Sequence, residues 1–425
     1  MATRKVISHS IQAPTVTVPG SKYLANRYIV IAAIAEGVTT LRNLPKNDDI
    51  EAALEAVSQL GARVSYVDDG VVEIEGVTNF QLNSDITINC RDSGTLSRFI
   101  TAVASNMTSD VVIDASEQMK QRPMDEVSQS LRELGVSVDS DKLPIRLRGP
   151  IQGGVVELDT SRSSQYLSGL LIACLRAESD TRIRLKGKTV SSSYIQLTKD
   201  AIARFGGVVS EVSDTELLIP AKQQLRAADI NVASDVVSSS YFMAAGLLAK
   251  TSIRLESFDF ESPQGESKFY RVLEKMGAEV VKQAASLVVR YKGPLKGIDV
   301  DMGDMPDVVP TLVVLALFAE GKTNITNIAH LAFKESNRIV DLCDQLNRLG
   351  ANIEYSDDSI HVTGGQDLQL SNLLSSCHDH RLAMSFALIG IRLPGVVVED
   401  AQAVEKSFPL YWEFLEKIGV KSVEL

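Results

Sequence analysis

The segment Leu349-Gly350-Ala351-Asn352-Ile353-Glu354-Tyr355 decides how this chain reads. A glycine just past a helix end takes the left-handed backbone that closes the last turn without steric cost. The alternation from Ala351 to Tyr355 then reads as a half-buried strand. The pattern becomes decisive through recurrence. Hydrophobic-Gly-small appears six times, at Leu60-Gly61-Ala62, Leu134-Gly135-Val136, Phe205-Gly206-Gly207, Met276-Gly277-Ala278, Leu349-Gly350-Ala351 and Ile418-Gly419-Val420. Its glycines lie 74, 71, 71, 73 and 69 residues apart. An alternating strand is expected after each, except at the C-terminus.

A second helix recurs once per unit. Its starts are marked by Ser21-Lys22, Ser93-Gly94, Ser163-Ser164, Ser238-Ser239, Asp307 and Asp379-His380. Ser and Asp are good N-caps. The runs that follow, such as Ile29 to Ile34 and Thr311 to Phe318, are nearly apolar all round, which predicts buried helices. A period near 70 exceeds the ~20–50 residues of common solenoids. Six units in 425 residues suggest two halves of three units each, consistent with single cores that stop growing near ~250–300 residues. No linker of Pro, Gly and Ser separates the halves, and the count of units places a hinge near Ala228 to Ala233.

With 44% hydrophobic and 23% charged residues, the composition is that of a soluble globular protein. The longest apolar runs fall short of the ~18–20 residues that span a bilayer. The stretch Val6 to Pro14, broken by Ser, His, Gln and Pro, does not read as a signal peptide. Four scattered cysteines, Cys90, Cys174, Cys343 and Cys377, fit a reducing compartment and give no metal spacing. Cytoplasm is the expectation. A net charge of −11 argues against a nucleic-acid partner. It also makes any cluster of cations informative, because such a cluster runs against the background field.

Those cations gather at the starts of the apolar helices or on neighbouring loops: Lys22, Arg27, Arg98, Arg122, Lys334, Arg338, Arg381 and Lys406. Helix starts bind anions through unpaired N–H groups and partial positive charge. Arg offers a planar fork to carboxylate and phosphate, and Lys a point charge or a transferable proton. Alone, each reads as a solvated surface residue; recurrence beside apolar helices changes the reading for the set. The acid–base candidates are Asp307, Glu335, Asp379 and His380. Lys334-Glu335-Ser336-Asn337-Arg338 also fits an ordinary charged helix face, and Asp379 a plain N-cap. The triplet Asp379-His380-Arg381 opens an apolar helix, where ionisable groups need partners.

Taken in order, these motifs carry a resemblance. They are Pro19-Gly20-Ser21-Lys22 with Asn26-Arg27, Ser93-Gly94-Thr95 with Arg98, Arg122-Pro123, Ser163-Ser164-Gln165-Tyr166-Leu167, Asp304-Met305-Pro306-Asp307, Lys334-Glu335-Ser336 with Arg338, Asp379-His380-Arg381 with Ala383-Met384, and Lys406-Ser407-Phe408-Pro409. From about residue 12 to 416 the chain resembles the EPSP synthases. The resemblance implies a two-domain inside-out α/β barrel, each domain holding three copies of a βαβαββ unit with buried parallel helices, closing on substrate. The domains would be residues 1–20 plus 234–425, and residues 21–233.

By the same resemblance, the chain is an enolpyruvyl transferase acting on phosphoenolpyruvate and shikimate 3-phosphate. It would need no cofactor and no metal, have no nucleic-acid or membrane partner, and work as a monomer. Phosphoenolpyruvate would be held by Lys22, the backbone at Gly94, Arg122, Arg338, Arg381 and Lys406. Shikimate 3-phosphate would be held by Arg27, Ser163, Ser164, Gln165, Ser191, Tyr194, Asp307 and Lys334. Asp307 would orient or deprotonate the attacking hydroxyl. Glu335, Lys22 and His380 would handle the proton on the methylene carbon. Gly94 implies inhibition by glyphosate. The family usually has Ser where Tyr23 stands, contacting the shikimate phosphate, and Asn is common where His330 stands. Asp92 and Phe99 depart as well. The sister transferase acting on UDP-N-acetylglucosamine carries a loop cysteine near Arg-Pro, whereas Glu117 to Pro123 contains none. A transferase for a modified cyclohexene acid and an inactive anion-binding paralogue are the remaining alternatives.

Overall fold

The computed structural model describes residues 2–77, 81, 85–187, 190–369 and 373–425. All six repeat glycines, Gly61, Gly135, Gly206, Gly277, Gly350 and Gly419, have φ between +79° and +102°. Each therefore occupies the left-handed region that favours glycine.

The chain divides into two compact units, Gly20–Val232 and Met1–Pro19 with Ala233–Leu425. Among the described residues, each contains three four-stranded sheets of one design. The second sheet of the Gly20–Val232 unit shows it plainly. Ile86–Asn89 pairs parallel with Val111–Asp114, which pairs antiparallel with Ile145–Arg148, which pairs antiparallel with Ser137–Val138. Between these strands lie the helices Gly94–Ala104 and Asp125–Glu133, giving the order βαβαββ.

Two repeats borrow their first strand across the chain. Thr15–Thr17 joins Ser252–Glu256 in parallel, and Asp229–Asn231 joins Val38–Arg42 in parallel. A strand also follows the last glycine, against expectation. Val420–Glu424 pairs antiparallel with Thr3–His9, so the two ends of the chain complete one sheet.

Among the described residues, six largely apolar helices lie in the cores: Lys22–Ala32, Gly94–Ala104, Gln165–Ala173, Val236–Leu248, Val309–Leu317 and His380–Arg392. They are buried almost throughout, Val309–Leu317 at all nine positions. The strands by contrast bury alternate residues, as in Val38–Arg42 and Ser252–Glu256. Helices lie inside and sheets outside, the inside-out α/β arrangement, with open four-stranded sheets and not a closed barrel. Full burial of one Leu, Ile or Val contributes about 1.5–3 kcal/mol, so each of these helices contributes several such increments to the hydrophobic core.

Two helix starts differ from the expected ones. The fourth opens at Val236 and not at Ser238-Ser239, because the Asp235 carboxylate accepts the Ser238 N–H at 2.8 Å. An ionised cap binds the orphan amide more strongly than a hydroxyl does. Asp307 lies in a 3-10 turn, Pro306–Val308, ahead of the helix that begins at Val309. Among the described residues, no helix is long and apolar enough to cross a membrane.

Candidate active site

In the Gly20–Val232 unit, Ser21 caps the first buried helix by accepting the Leu24 N–H at 3.5 Å. That cap fixes the first turn, which carries Lys22 and Tyr23, with Arg27 one turn further on. Lys22 is only 8% exposed. Its Nζ lies 2.8 Å from Asp49 Oδ2 and 5.6 Å from the centroid of the Tyr23 ring. Tyr23 in turn meets Tyr194 edge-on, with centroids 5.3 Å apart.

Arg27 is turned inward. Its Nε donates to Thr198 Oγ1 at 2.8 Å, Nη1 to the Tyr23 carbonyl at 2.8 Å and Nη2 to the Tyr194 carbonyl at 3.1 Å. The guanidinium also stacks on Phe99, 5.2 Å from the ring centroid. Burial lowers its pKa to about 10, against the opposing pull of Tyr194, Tyr28 and Tyr23. Three of five donors thus tie Arg27 to its own unit.

The start of the second buried helix is crowded by cations. A Cβ built on Gly94 would fall 2.5 Å from Arg122 Nη1 and 2.7 Å from Arg98 Nη1. Arg98 donates to the Gly94 carbonyl at 3.0 Å and to the Pro123 carbonyl at 2.9 Å. Only glycine lets two guanidinium groups approach this helix end so closely. At the third helix start, Ser163 Oγ accepts the Gln165 N–H at 3.2 Å, and Gln165 Nε2 donates to Thr95 Oγ1 at 3.0 Å. Ser164 is buried as the cap residue. Ser191 is buried with φ +51°, and its carbonyl accepts the Tyr194 N–H at 3.0 Å.

In the other unit, one guanidinium organises the site. Arg338 is 1% exposed. It donates from Nε to Asp379 Oδ2 at 2.7 Å, from Nη2 to Asp379 Oδ1 at 3.2 Å, from Nη1 to Asp307 Oδ1 at 2.8 Å and from Nη2 to Glu335 Oε2 at 2.8 Å. Burial alone would lower the Arg338 pKa, but the charges of Asp379, Glu335 and Asp307 outweigh it and raise the value. Arg381 Nη2 lies 3.5 Å from Asp307 Oδ2, and Lys406 Nζ lies 3.6 Å from Glu335 Oε1. Asp379 also caps its helix, accepting the Arg381 N–H at 2.8 Å. His380 is 2% exposed, with Nδ1 3.8 Å from Asp379 Oδ1. Six expected site residues therefore share one network: Asp307, Glu335, Arg338, Asp379, Arg381 and Lys406. His330 is buried in the 3-10 turn Ala329–Phe333, and Lys334, half-buried, ends it.

Sequence reasoning missed three polar residues of these networks. Asp49 reads as one of several acids in the first turn of Asp48–Gln59, where acids suit the helix dipole. Tyr241, fully buried, donates no visible pattern to the sequence, yet its hydroxyl accepts from Arg381 Nη1 at 3.0 Å. Glu266, also fully buried, accepts the Asp307 N–H at 3.4 Å. For Tyr241 and Glu266, one phenol after three serines in a buried helix and a Glu after Gln264-Gly265 were the signals available.

A family model described as EPSP synthase (3-phosphoshikimate 1-carboxyvinyltransferase) matches residues 8–415. The 3-phosphoshikimate 1-carboxyvinyltransferase of Serratia proteamaculans is 36% identical over 412 residues, covering 95% of this chain and 96% of that protein. The protein of the same name from Klebsiella pneumoniae is 35% identical over 412 residues, with the same coverage. The solved EPSP synthase of Acinetobacter baumannii superposes with a TM-score of 0.84 at 25% identity, and each chain is covered completely. With its repeats, its paired acids and its clustered cations accounted for, the chain belongs to the EPSP synthase family.

Proposed function

We infer that this chain transfers the enolpyruvyl group of phosphoenolpyruvate to the 5-hydroxyl of shikimate 3-phosphate and releases phosphate. The observation that carries this reading is the Arg338 network, in which two carboxylates, Asp307 and Glu335, are held by one buried guanidinium with Arg381 and Lys406 beside them.

The chemistry needs those groups. The hydroxyl oxygen attacks C2 of phosphoenolpyruvate while C3 gains a proton, giving a tetrahedral intermediate. C3 then loses a proton, the C2–O bond to phosphate breaks, and the enol ether and inorganic phosphate leave. Asp307 takes the hydroxyl proton or orients it. Glu335, Lys22 and His380 deliver and remove the C3 proton. Positioned acids and bases of this kind contribute roughly 10²–10⁴-fold each.

Anion binding follows from the same residues. Lys22, the Gly94 backbone, Arg122, Arg338, Arg381 and Lys406 hold phosphoenolpyruvate. Arg27, Tyr23, Ser163, Ser164, Gln165, Ser191, Tyr194, His330, Lys334 and Asp307 hold shikimate 3-phosphate. Substrate carboxylate and phosphate oxygens replace the internal acids on the cations, so that charge is exchanged and not created in a dry site. Family membership also supports a cytoplasmic monomer; a sedimentation mass near 46.1 kDa agrees with that state, and twice that value overturns it.

Turnover in deuterium oxide tests the chemistry. Protonation at C3 makes a methyl group, so deuterium must enter the vinylic carbon of the product. Product free of deuterium contradicts the mechanism.

A further inference from the structure

Two neighbouring parallel strands of one sheet, Leu373–Ser375 and Val397–Glu399, end side by side. Beyond the first, Ser376-Cys377-His378 lead to Asp379 and so to Arg381. Beyond the second, Asp400 opens the 3-10 segment Ala401–Lys406, whose last residue is Lys406. Ligands of open parallel sheets sit off such carboxyl ends.

Three non-glycine residues on these two connections have left-handed backbones: Cys377 at φ +52°, His378 at +56° and Asp400 at +56°. Side chains resist that conformation, so it persists only where the surroundings fix it. The Asp400 carboxylate supplies the fixing contacts and is buried. Its Oδ2 accepts from Ser376 Oγ at 3.1 Å and lies 2.7 Å from His378 Nδ1, while its Oδ1 accepts from Gln402 Nε2 at 2.5 Å. The Ser376 carbonyl in turn accepts the Asp379 N–H at 2.9 Å. One carboxylate thus ties the loop before Asp379 to the segment before Lys406.

We propose that Asp400 is a positioning residue for the reaction: through Ser376 it sets Asp379 and Arg381, and by opening Ala401–Lys406 it sets Lys406. The proposal rests on the reading above in which Arg381 and Lys406 hold phosphoenolpyruvate. It makes a selective prediction, because neither connection carries a residue assigned to shikimate 3-phosphate.

Steady-state kinetics of full-length variants test it. Asp400→Ala raises KM for phosphoenolpyruvate about tenfold or more, the size expected when a buried hydrogen-bonded carboxylate is removed. It leaves KM for shikimate 3-phosphate within about twofold. Asp400→Asn keeps one acceptor oxygen and tolerates the left-handed backbone, so its effect is smaller. Ser376→Ala raises the same KM several-fold, and adds little on top of Asp400→Ala because both remove one contact.

An unchanged KM for phosphoenolpyruvate in folded Asp400→Ala overturns the proposal, as does a loss confined to kcat, which reduced folded enzyme alone would cause. Should Asp400→Ala fail to fold, Ser376→Ala decides by the same criterion. Wild-type turnover is read separately: if the wild type does not consume the two substrates, the functional reading fails and not merely this one.

Discussion

At the scale of single residues, the site is built on charges that are already paired. Arg338 has three carboxylates on one buried guanidinium, and Lys22 has Asp49. Removing one partner from such a group leaves the others buried and uncompensated, which costs about 3–5 kcal/mol. Arg338→Leu is therefore expected to lower unfolding free energy by about that amount as well as to abolish turnover. A urea melt checks it, and a midpoint unchanged from wild type contradicts it. Little of this was legible in the sequence. Arg338 and Glu335 sit three residues apart and look like a surface pair, because Asp307 and Asp379, 31 and 41 residues away, are brought in only by the fold. Arg27 was legible as a cation at a helix start. Its engagement with the carbonyls of Tyr23 and Tyr194 was not, since backbone acceptors leave no mark on composition. Tyr23 was legible as a departure, and its edge-on packing on Tyr194 explains how a phenol fits there.

At the scale of elements, the repeat was legible because its signal is local and covalent. A glycine with φ near +90° and the strand after it depend on a handful of adjacent residues, which is why all six corners stand where the spacing places them. Gly206 isolates that requirement, for its φ is +79° and a Cβ there would meet nothing within 4 Å. Gly206→Ala is thus expected to cost about 1–2 kcal/mol from backbone strain alone. Asn at the same position should cost less, because it tolerates the left-handed region. Equal stabilities for the three proteins in thermal melts would contradict the assignment. The terminal strand Val420–Glu424 escaped the sequence reading because Val-Lys-Ser-Val is short and weakly apolar. Its partner Thr3–His9 lies at the far end of the chain, as in the pairing of Lys5 with Val423. Non-local pairing of this kind has no sequence periodicity to announce it.

At the scale of the whole molecule, two strand exchanges define the units. Thr15–Thr17 completes a sheet whose other strands begin at Ser252, and Asp229–Asn231 completes one whose others begin at Val38. Spacing alone counts six repeats but does not say which strand completes which. In a chain of net charge −11, Lys22, Arg338, Arg381 and Lys406 are held against acids of their own unit, while Arg27 and Arg98 are buried against backbone carbonyls. Such groups await anions of matching charge, and the acceptor decides which reaction is run. The most direct test measures inorganic phosphate released from phosphoenolpyruvate with shikimate 3-phosphate or UDP-N-acetylglucosamine as acceptor. The account predicts release with the first and none above background with the second. No release with shikimate 3-phosphate, or faster release with UDP-N-acetylglucosamine, would contradict it.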